Sequence, residues 1–300
     1  MLDLTDKNIK AQNGTAVALG VFDGVHIGHR AVISAAVNKC ADGLSPAIFT
    51  FKSPSVTTKG DGRVLYTDEK KRECFESLGV EILYSPEFSK LCDMSAERFV
   101  NEILAEKLCA RAVCCGESFR FGKNALADVD ALKKMCAERG MEVTVVSPVN
   151  YGGETVSSTR IKNSLAKGDI KNANAMLSEE LSYELPVVHG RQLGRTLNFP
   201  TVNQQLPTEL VLPRFGVYLT RVYYGGKQYR GVSNIGVKPT VGAASPLIET
   251  HILGLCEDLY GKVIKVSLVD FIRPERKFES IEALKRCVDQ DIENAQKGSF

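Results

Sequence analysis

What this chain of 300 residues lacks narrows its chemistry early. Histidine is scarce: only four occur, none at a zinc-like spacing from cysteine, so a zinc centre is not indicated. No Cys-x-x-Cys pair is present, and nine cysteines, an odd number, cannot all pair within the chain. Reduced thiols fit the cytosol. The net charge of +2 leaves no strong electrostatic case for nucleic acid or for a membrane surface. Apolar runs are short, none nearing the roughly 20 residues that cross a bilayer, and the opening MLDLTDKNIK has no apolar signal core. A cytoplasmic protein without internal repeats or low-complexity segments is expected.

What is present is a globular composition, 44% hydrophobic and 25% charged, at a length that suits two domains. In the first half, short apolar runs alternate with helical patterns. Strands are expected over Thr15–Phe22, Ala47–Phe51, Glu81–Tyr84, Ala112–Cys115 and Glu142–Val146. Helices are expected over Gly28–Cys40, Asp68–Leu78, Ala96–Leu108 and Val129–Arg139. Such alternation builds a parallel sheet with helices on both faces, whose ligands bind beyond the carboxyl ends of the strands. The run Lys70-Lys71-Arg72 reads as a solvated helix face. Two short helices follow Ser157–Thr159 and end near Ser178. The pattern then changes to short β-rich runs parted by Gly and Pro: Val187–Val188, Gly216–Tyr224, Tyr229–Ile235, Ile248–Leu253 and Val263–Phe271. Strand after strand without helices implies an antiparallel barrel. A closing helix, Ile281–Ala295, sets Ile281, Leu284, Val288 and Ile292 on one face.

Two segments carry chemistry. In GVFDGVHIGH (Gly20–His29) a strand gives way to a helix near Ile27, and Gly24 and Gly28 allow phosphate close to the backbone. His26 and His29, three apart, share one face of the first helical turn, where the helix dipole already favours an anion. Two imidazoles there can donate hydrogen bonds to a phosphate undergoing substitution. Singly, each would be an ordinary turn or helix residue. The second segment is GRQLGRTLNFPTVN (Gly190–Asn203), where Thr201 and Asn203 are hard-oxygen donors on one side of an extended stretch. By itself Pro-Thr-Val-Asn would read as a loop.

GxFDGxHxGH is the form of the HxGH nucleotidylyltransferase signature found in FAD synthetases. Ser157-Ser158-Thr159-Arg160-Ile161-Lys162 resembles that family's SSTxIR, with Lys162 where the family usually has Arg. Gly116–Gly122 (GESFRFG) is similar to its flavin-contacting GxDFxFG, although two aromatics on a strand–loop can equally be core. The chain departs from the family at Phe51-Lys52-Ser53-Pro54, in place of an acidic-Pro-His-Pro run, and at Ala127, in place of Gly. GRQLGRTLNFPTVN resembles the riboflavin kinase signature ending in Pro-Thr-Ala-Asn, with Asn198 for Gly and Val202 for Ala. RFGVY (Arg214–Tyr218), GVSNIGVKPTVG (Gly231–Gly242), IETH (Ile248–His251) and FIRPERKF (Phe271–Phe278) stand where that family has its own counterparts.

In this order the motifs resemble the bacterial bifunctional riboflavin kinase/FAD synthetases. The resemblance implies a Rossmann-like doubly wound domain over 1–182 and an antiparallel riboflavin-kinase barrel with a closing helix over 183–300. It implies His26 and His29 as catalytic for adenylyl transfer, with ATP held by Gly20, Phe22, Asp23, Gly24, Gly28, Ser158, Thr159, Arg160 and Lys162. Phe119, Arg120 and Phe121 would take the flavin of that reaction. In the kinase, Glu249 would be the base, and Gly190, Gly194, Arg195, Pro200, Thr201 and Asn203 would bind ATP. Thr201 and Asn203 would hold Mg²⁺, and Arg273 and Glu275 would bound the flavin, while His189 and His251 read as structural. Riboflavin, FMN, FAD, ATP, ADP and pyrophosphate are the expected partners, with neither nucleic acid nor membrane. Competing readings are a riboflavin kinase with a drifted first domain, and a flavin- or nucleotide-binding regulator without turnover.

Overall fold

The computed structural model describes residues 1–5, 10–53, 62–190, 199–240, 243–255 and 257–297. The chain divides into two compact units, Met1–Ser158 and Thr159–Phe300.

The first unit is a parallel sheet with helices on both faces. Its strands are β1 (Leu2–Asp3), β2 (Thr15–Leu19), β3 (Ser45–Phe49), β4 (Ile82–Tyr84), β5 (Ala110–Gly116) and β6 (Glu142–Val146). They lie in the order β1-β4-β3-β2-β5-β6, and every pairing is parallel. The helices are α1 (Ile27–Val37), α2 (Asp68–Ser77), α3 (Ala96–Arg98), which continues as a π-helix over Phe99–Lys107, and α4 (Val129–Ala137). Alternation along each strand splits the core in two. Val17, Leu19, Phe49, Val113 and Cys115 pack with Leu104 of the π-helix and Leu132 of α4. The intervening positions, Ala16, Ala18, Ile48 and Cys114, are fully buried on the other side, where α1 lies over β2, β3 and β5. Because β3 and β4 lie to one side of β2 and β5 and β6 to the other, the strand order reverses between β2 and β5. A crevice opens at that point beyond the carboxyl ends of the strands. A small hairpin, β7 (Asn150–Tyr151) and β8 (Glu154–Thr155), follows β6.

Helix α5 (Ser158–Lys167) carries the boundary, with Ser158 the last residue of the first unit, and the second unit continues through Gly168 into α6 (Ile170–Leu177). Its barrel strands are β9 (Ser182–Pro186), β10 (Val202–Gln205), β11 (Gly216–Tyr224), β12 (Lys227–Thr240), β13 (Ala243–Ile252) and β14 (Val263–Pro274), closed by α7 (Ile281–Lys297). The order β10-β13-β12-β11-β14-β9 is antiparallel throughout. The outer strands do not pair as a ladder. Instead the buried Gln204 amide on β10 donates to Leu185 O on β9 at 2.7 Å and to Ile264 O on β14 at 2.9 Å, which nearly closes the barrel. Inside it, Thr220, Ser233 and Thr250 form a hydroxyl ladder with O···O distances of 3.0 and 2.7 Å, so these buried polar groups are satisfied. Helix α6 packs on β14, where Asn174 Nδ2 donates to Leu268 O at 2.8 Å.

Several elements differ from the sequence reading. Strand β2 stops at Leu19 rather than Phe22, because Phe22 has φ of +54° and leaves the sheet. The barrel gains β9 and β10, which lack a long apolar run. On α7 the inward residues include Asp291 and Ala295, while Ile281 is 63% exposed.

Candidate active sites

Both chemistry-bearing segments of the first unit leave the sheet at its switch point, Gly20–His29 after β2 and Gly116–Gly122 after β5. The first is a strained turn: Phe22 and Val25 both hold positive φ, +54° and +40°, which for a β-branched residue such as Val25 is strongly disfavoured. Hydrogen bonds over-determine it. Thr50 Oγ1 donates to Val21 O at 2.9 Å and Arg30 Nε to Val25 O at 3.1 Å. The Asp23 carboxylate accepts the Leu65 N–H at 2.6 Å, and the Ser158 hydroxyl donates to the Asp23 carbonyl at 2.9 Å.

The turn delivers His26 as the N-cap of α1, its Nδ1 accepting the His29 N–H at 3.3 Å. A backbone N–H can only donate, so the neutral His26 ring carries its proton on Nε2, which is left as a donor. The two imidazoles stack with centroids 3.5 Å apart and planes 18° from parallel. A Cβ at Gly28 would lie 3.2 Å from His26 Cε1, so glycine leaves the ring its place. Phe22 is buried and packs edge-on against His29 at 5.3 Å, supporting it from below. Burial drives the His26 pKa down to about 4 and holds that of His29 well below its ordinary value, with the charges of His26 and Lys71 adding to the latter. Both rings are therefore neutral near pH 7. Among the described residues, buried His29 Nδ1 has no hydrogen-bond partner.

Around β5, Phe119 and Phe121 stack at 5.8 Å, and Phe121 packs on Phe99 at 5.5 Å. Phe121 is core and Phe119 half-buried, so one aromatic is spare for a ligand. Arg120 is exposed and pairs with Asp128 at 3.4 Å. Ala127 sits without strain, exchanging backbone hydrogen bonds with Phe121 at 3.0 and 3.1 Å. Thr159, Arg160 and Lys162 lie in the first two turns of α5, in the second unit, with Thr159 exposed and the other two half-buried.

In the second unit, register brings together the candidate residues of that half. Asn203 of β10 pairs with Glu249 of β13, Glu249 with Asn234 of β12, Asn234 with Val217 of β11, and Val217 with Arg273 of β14. Directly paired residues point to one side with Cβ atoms about 5 Å apart, so these five form a row across the barrel. It is the outer face, since Ile248, Thr250 and Ile252 on β13 are the buried alternates. Asn203 is buried, and its Oδ1 has no hydrogen-bond partner among the described residues. Gly190 lies against it: a Cβ there would fall 2.7 Å from Asn203 Cγ. Thr201 and Pro200 line a cavity of about 290 Å³ with Thr250, Asp258 and Tyr260. His251 Nδ1 lies 2.9 Å from Pro200 O, and His189 stacks on Tyr260 at 3.9 Å, both structural contacts. Gly194 and Arg195 lie outside the described residues.

Asn234 Nδ2 donates to Glu275 Oε1 at 3.0 Å. Arg273 ends the row in a forked ion pair with the buried Asp291 of α7, at 2.7 Å. That pair turns Asp291 inward and explains why the helix face differs from the apolar stripe. Three residues were missed by sequence reasoning. Asp291 gives a signal, falling one turn from Val288 on the apolar face. Asn234 lay inside a recognised motif. Lys71 reads as solvated but is 2% exposed, with its spacing from Cys74 and Phe75 as a hint of the buried face.

A family model described as FAD synthetase matches residues 8–160, and one described as riboflavin kinase matches 177–298. The bifunctional riboflavin kinase/FMN adenylyltransferase of Escherichia coli (strain K12) is 33% identical over 287 residues, 93% of this chain and 91% of that protein. That of Bacillus subtilis (strain 168) is 32% identical over 294 residues, 95% of this chain and 92% of that protein. A crystal structure described as a macrolide-efflux protein from Streptococcus pneumoniae is 27% identical with a TM-score of 0.90, covering 100% of both chains. Among the described residues here, no helix is long and apolar enough to cross a membrane.

Proposed function

We propose residue roles on one premise: the chain belongs to the bifunctional riboflavin kinase/FMN adenylyltransferase family, and it makes FMN from riboflavin and ATP, then FAD from FMN and a second ATP. A kinase with a drifted first domain is not favoured, since the FAD synthetase model matches 8–160.

In adenylyl transfer, an FMN phosphate oxygen attacks the α-phosphorus of ATP and the bond to pyrophosphate breaks. His26 Nε2–H, the ring donor not used in the α1 cap, hydrogen-bonds the α-phosphate oxygens as charge builds on them, and His29 works beside it. The α1 N-terminus adds its dipole. Phe119 stacks the isoalloxazine ring, with Arg120 near its phosphate. Ser158, Thr159, Arg160 and Lys162 are assigned to the pyrophosphate on the motif alone.

In the kinase, Glu249 takes the proton from the terminal ribityl hydroxyl as that oxygen attacks the γ-phosphorus and ADP leaves. The single observation that carries this assignment is the row Asn203–Glu249–Asn234, which sets the base directly beside Asn203, an expected ligand of ATP and the metal. The residues fit Mg²⁺. Asn203 Oδ1 is an orphaned buried acceptor and Thr201 precedes it by two, both hard oxygen donors of the kind Mg²⁺ takes. When bound, Mg²⁺ neutralises charge on the transferring phosphates. Asn234 steadies Glu275, and Arg273, tied to α7, fixes the flavin side of the row.

We set the functional boundary between residues 182 and 183, at the start of β9, although α5 and α6 cluster with the barrel. Eight described cysteines, all free, support a cytoplasmic location. The test is product chromatography on Glu249→Gln. It should lose FMN formation from riboflavin by at least about 100-fold while still making FAD from supplied FMN. Unchanged FMN formation would remove Glu249 from its role.

A further inference from the structure

Lys71 is the charged residue whose position the reaction as described leaves unexplained. Lysine is almost never fully buried unless paired, because stripping water from an ammonium costs several kcal/mol. Lys71 is 2% exposed, in the first turn of α2. Its Nζ bonds Asp68 Oδ1 at 2.9 Å and the Phe51 carbonyl at 3.2 Å. Asp68 in turn accepts the Ser53 N–H with both oxygens, at 3.1 and 3.0 Å. One ion pair thus holds the chain leaving β3, the stretch Phe51–Ser53 where this sequence departs from the family. One turn along α2, Phe75 packs on Phe22 at 5.9 Å, and Phe22 packs on His29. The same face of α2 therefore supports the histidine pair through Phe22 and places a cation within electrostatic reach of His29.

We propose that Lys71 is a positioning residue for adenylyl transfer: its ammonium pins the β3 exit to α2, whose Phe75 backs Phe22 and through it His29, and so holds the stacked histidine pair in its working arrangement. This rests on the reading of His26 and His29 as the adenylyl-transfer site. Stacked 3.5 Å apart, the imidazoles cannot both be charged, and protonating His26 on Nδ1 would also break the cap it gives His29. The Lys71 charge disfavours a proton on His29 as well. The charged groups around the pair in the first unit are Asp23 and Arg30 on the turn and on α1, and Lys71 and Asp68 on α2. Lys39 and Glu142 pair at the far end of α1. Of these, Lys71 acts on His29 directly, and Asp68 would act in the opposite sense once Lys71 is gone.

The test is the pH profile of FAD formation from FMN and ATP by the full chain carrying Lys71→Met or Lys71→Arg, with FMN formation from riboflavin as an internal control. Lys71→Met should shift the acid limb to higher pH, so that rate falls roughly tenfold more at the acid end than at the alkaline end. Lys71→Arg, which keeps the cation, should restore the parent limb. A role in folding alone lowers the rate equally at every pH, so a Lys71→Met limb coincident with the parent's overturns the proposal. If Lys71→Met does not melt cooperatively, Lys71→Gln, which keeps a donor for the Phe51 carbonyl, is judged by the same limb. Failure of the underlying reading is distinct: His26→Ala with His29→Ala would then leave FAD formation intact.

Discussion

Replacing Gly190 with alanine is the sharpest probe of the kinase site, because it adds one methyl group whose nearest neighbours among the described atoms all belong to Asn203. The new Cβ would lie 2.7 Å from Asn203 Cγ and closer still to Nδ2, where carbon atoms normally settle at about 3.5 to 4 Å. The Asn203 amide must therefore move by about 1 Å. It is 5% exposed and packed on a strand, so the movement takes its Oδ1 off the position proposed for the metal. A displacement of that size in a positioning group lowers rate on the order of 100-fold, or about 2.7 kcal/mol of transition-state stabilisation. Steady-state FMN formation, titrated with Mg²⁺, reads this directly. The expected result is a 100-fold loss, partly recovered at high Mg²⁺, while FAD formation from supplied FMN on the other unit stays at the parent rate. Kinase turnover within threefold of the parent at ordinary Mg²⁺ would refute both the contact and the role given to Asn203.

Asp291→Ala strands the Arg273 guanidinium, 18% exposed, beneath α7. Breaking a buried pair in this way should cost about 3 to 5 kcal/mol, read as a lower urea midpoint of the barrel unit. The histidine pair also makes stability depend on pH. The folded pKa of His26, about 4, lies below its unfolded value of 6.5, so the unfolded state binds the proton first. Stability is then full above about pH 6.5 and lost as pH falls towards 4, by roughly 3 kcal/mol from His26. Thermal melts from pH 7 to 4 should show a shallower decline for His26→Gln, and equal slopes would refute the assignment. Burial pushes the thiols of Cys114, Cys115 and Cys136 up to about 11. Alkylation of the native protein at pH 8, followed by peptide mapping, should mark exposed Cys40 and spare these three.

Much of this molecule could be read in one dimension, for local reasons. Doubly buried parallel strands must be short apolar runs, so β2, β3 and β5 announced themselves, and the switch from helices between strands to Gly- and Pro-parted strands marked the barrel. The histidine pair was equally legible, since a three-residue spacing at a helix start places both rings together whatever surrounds them. Strand β10 was not, because Pro-Thr-Val-Asn has no alternation to separate it from a turn and only pairing with β13 makes it a strand. Nor was Lys71, since charge on a helix is normally solvated and its partner Asp68 can be recognised only once α2 is docked against the β3 exit.

The sequence by itself determined most of the elements and the order of the two units, because these depend on composition and spacing within a turn or a strand. Tertiary structure alone decided three things: that the sheet reverses between β2 and β5, that Asn203, Glu249 and Asn234 share one row, and that Arg273 is spent on α7. Each depends on register or docking between segments far apart in the chain. Those choices are set by the burial of whole faces, and slipping a strand by one residue would turn every one of these side chains to the other side.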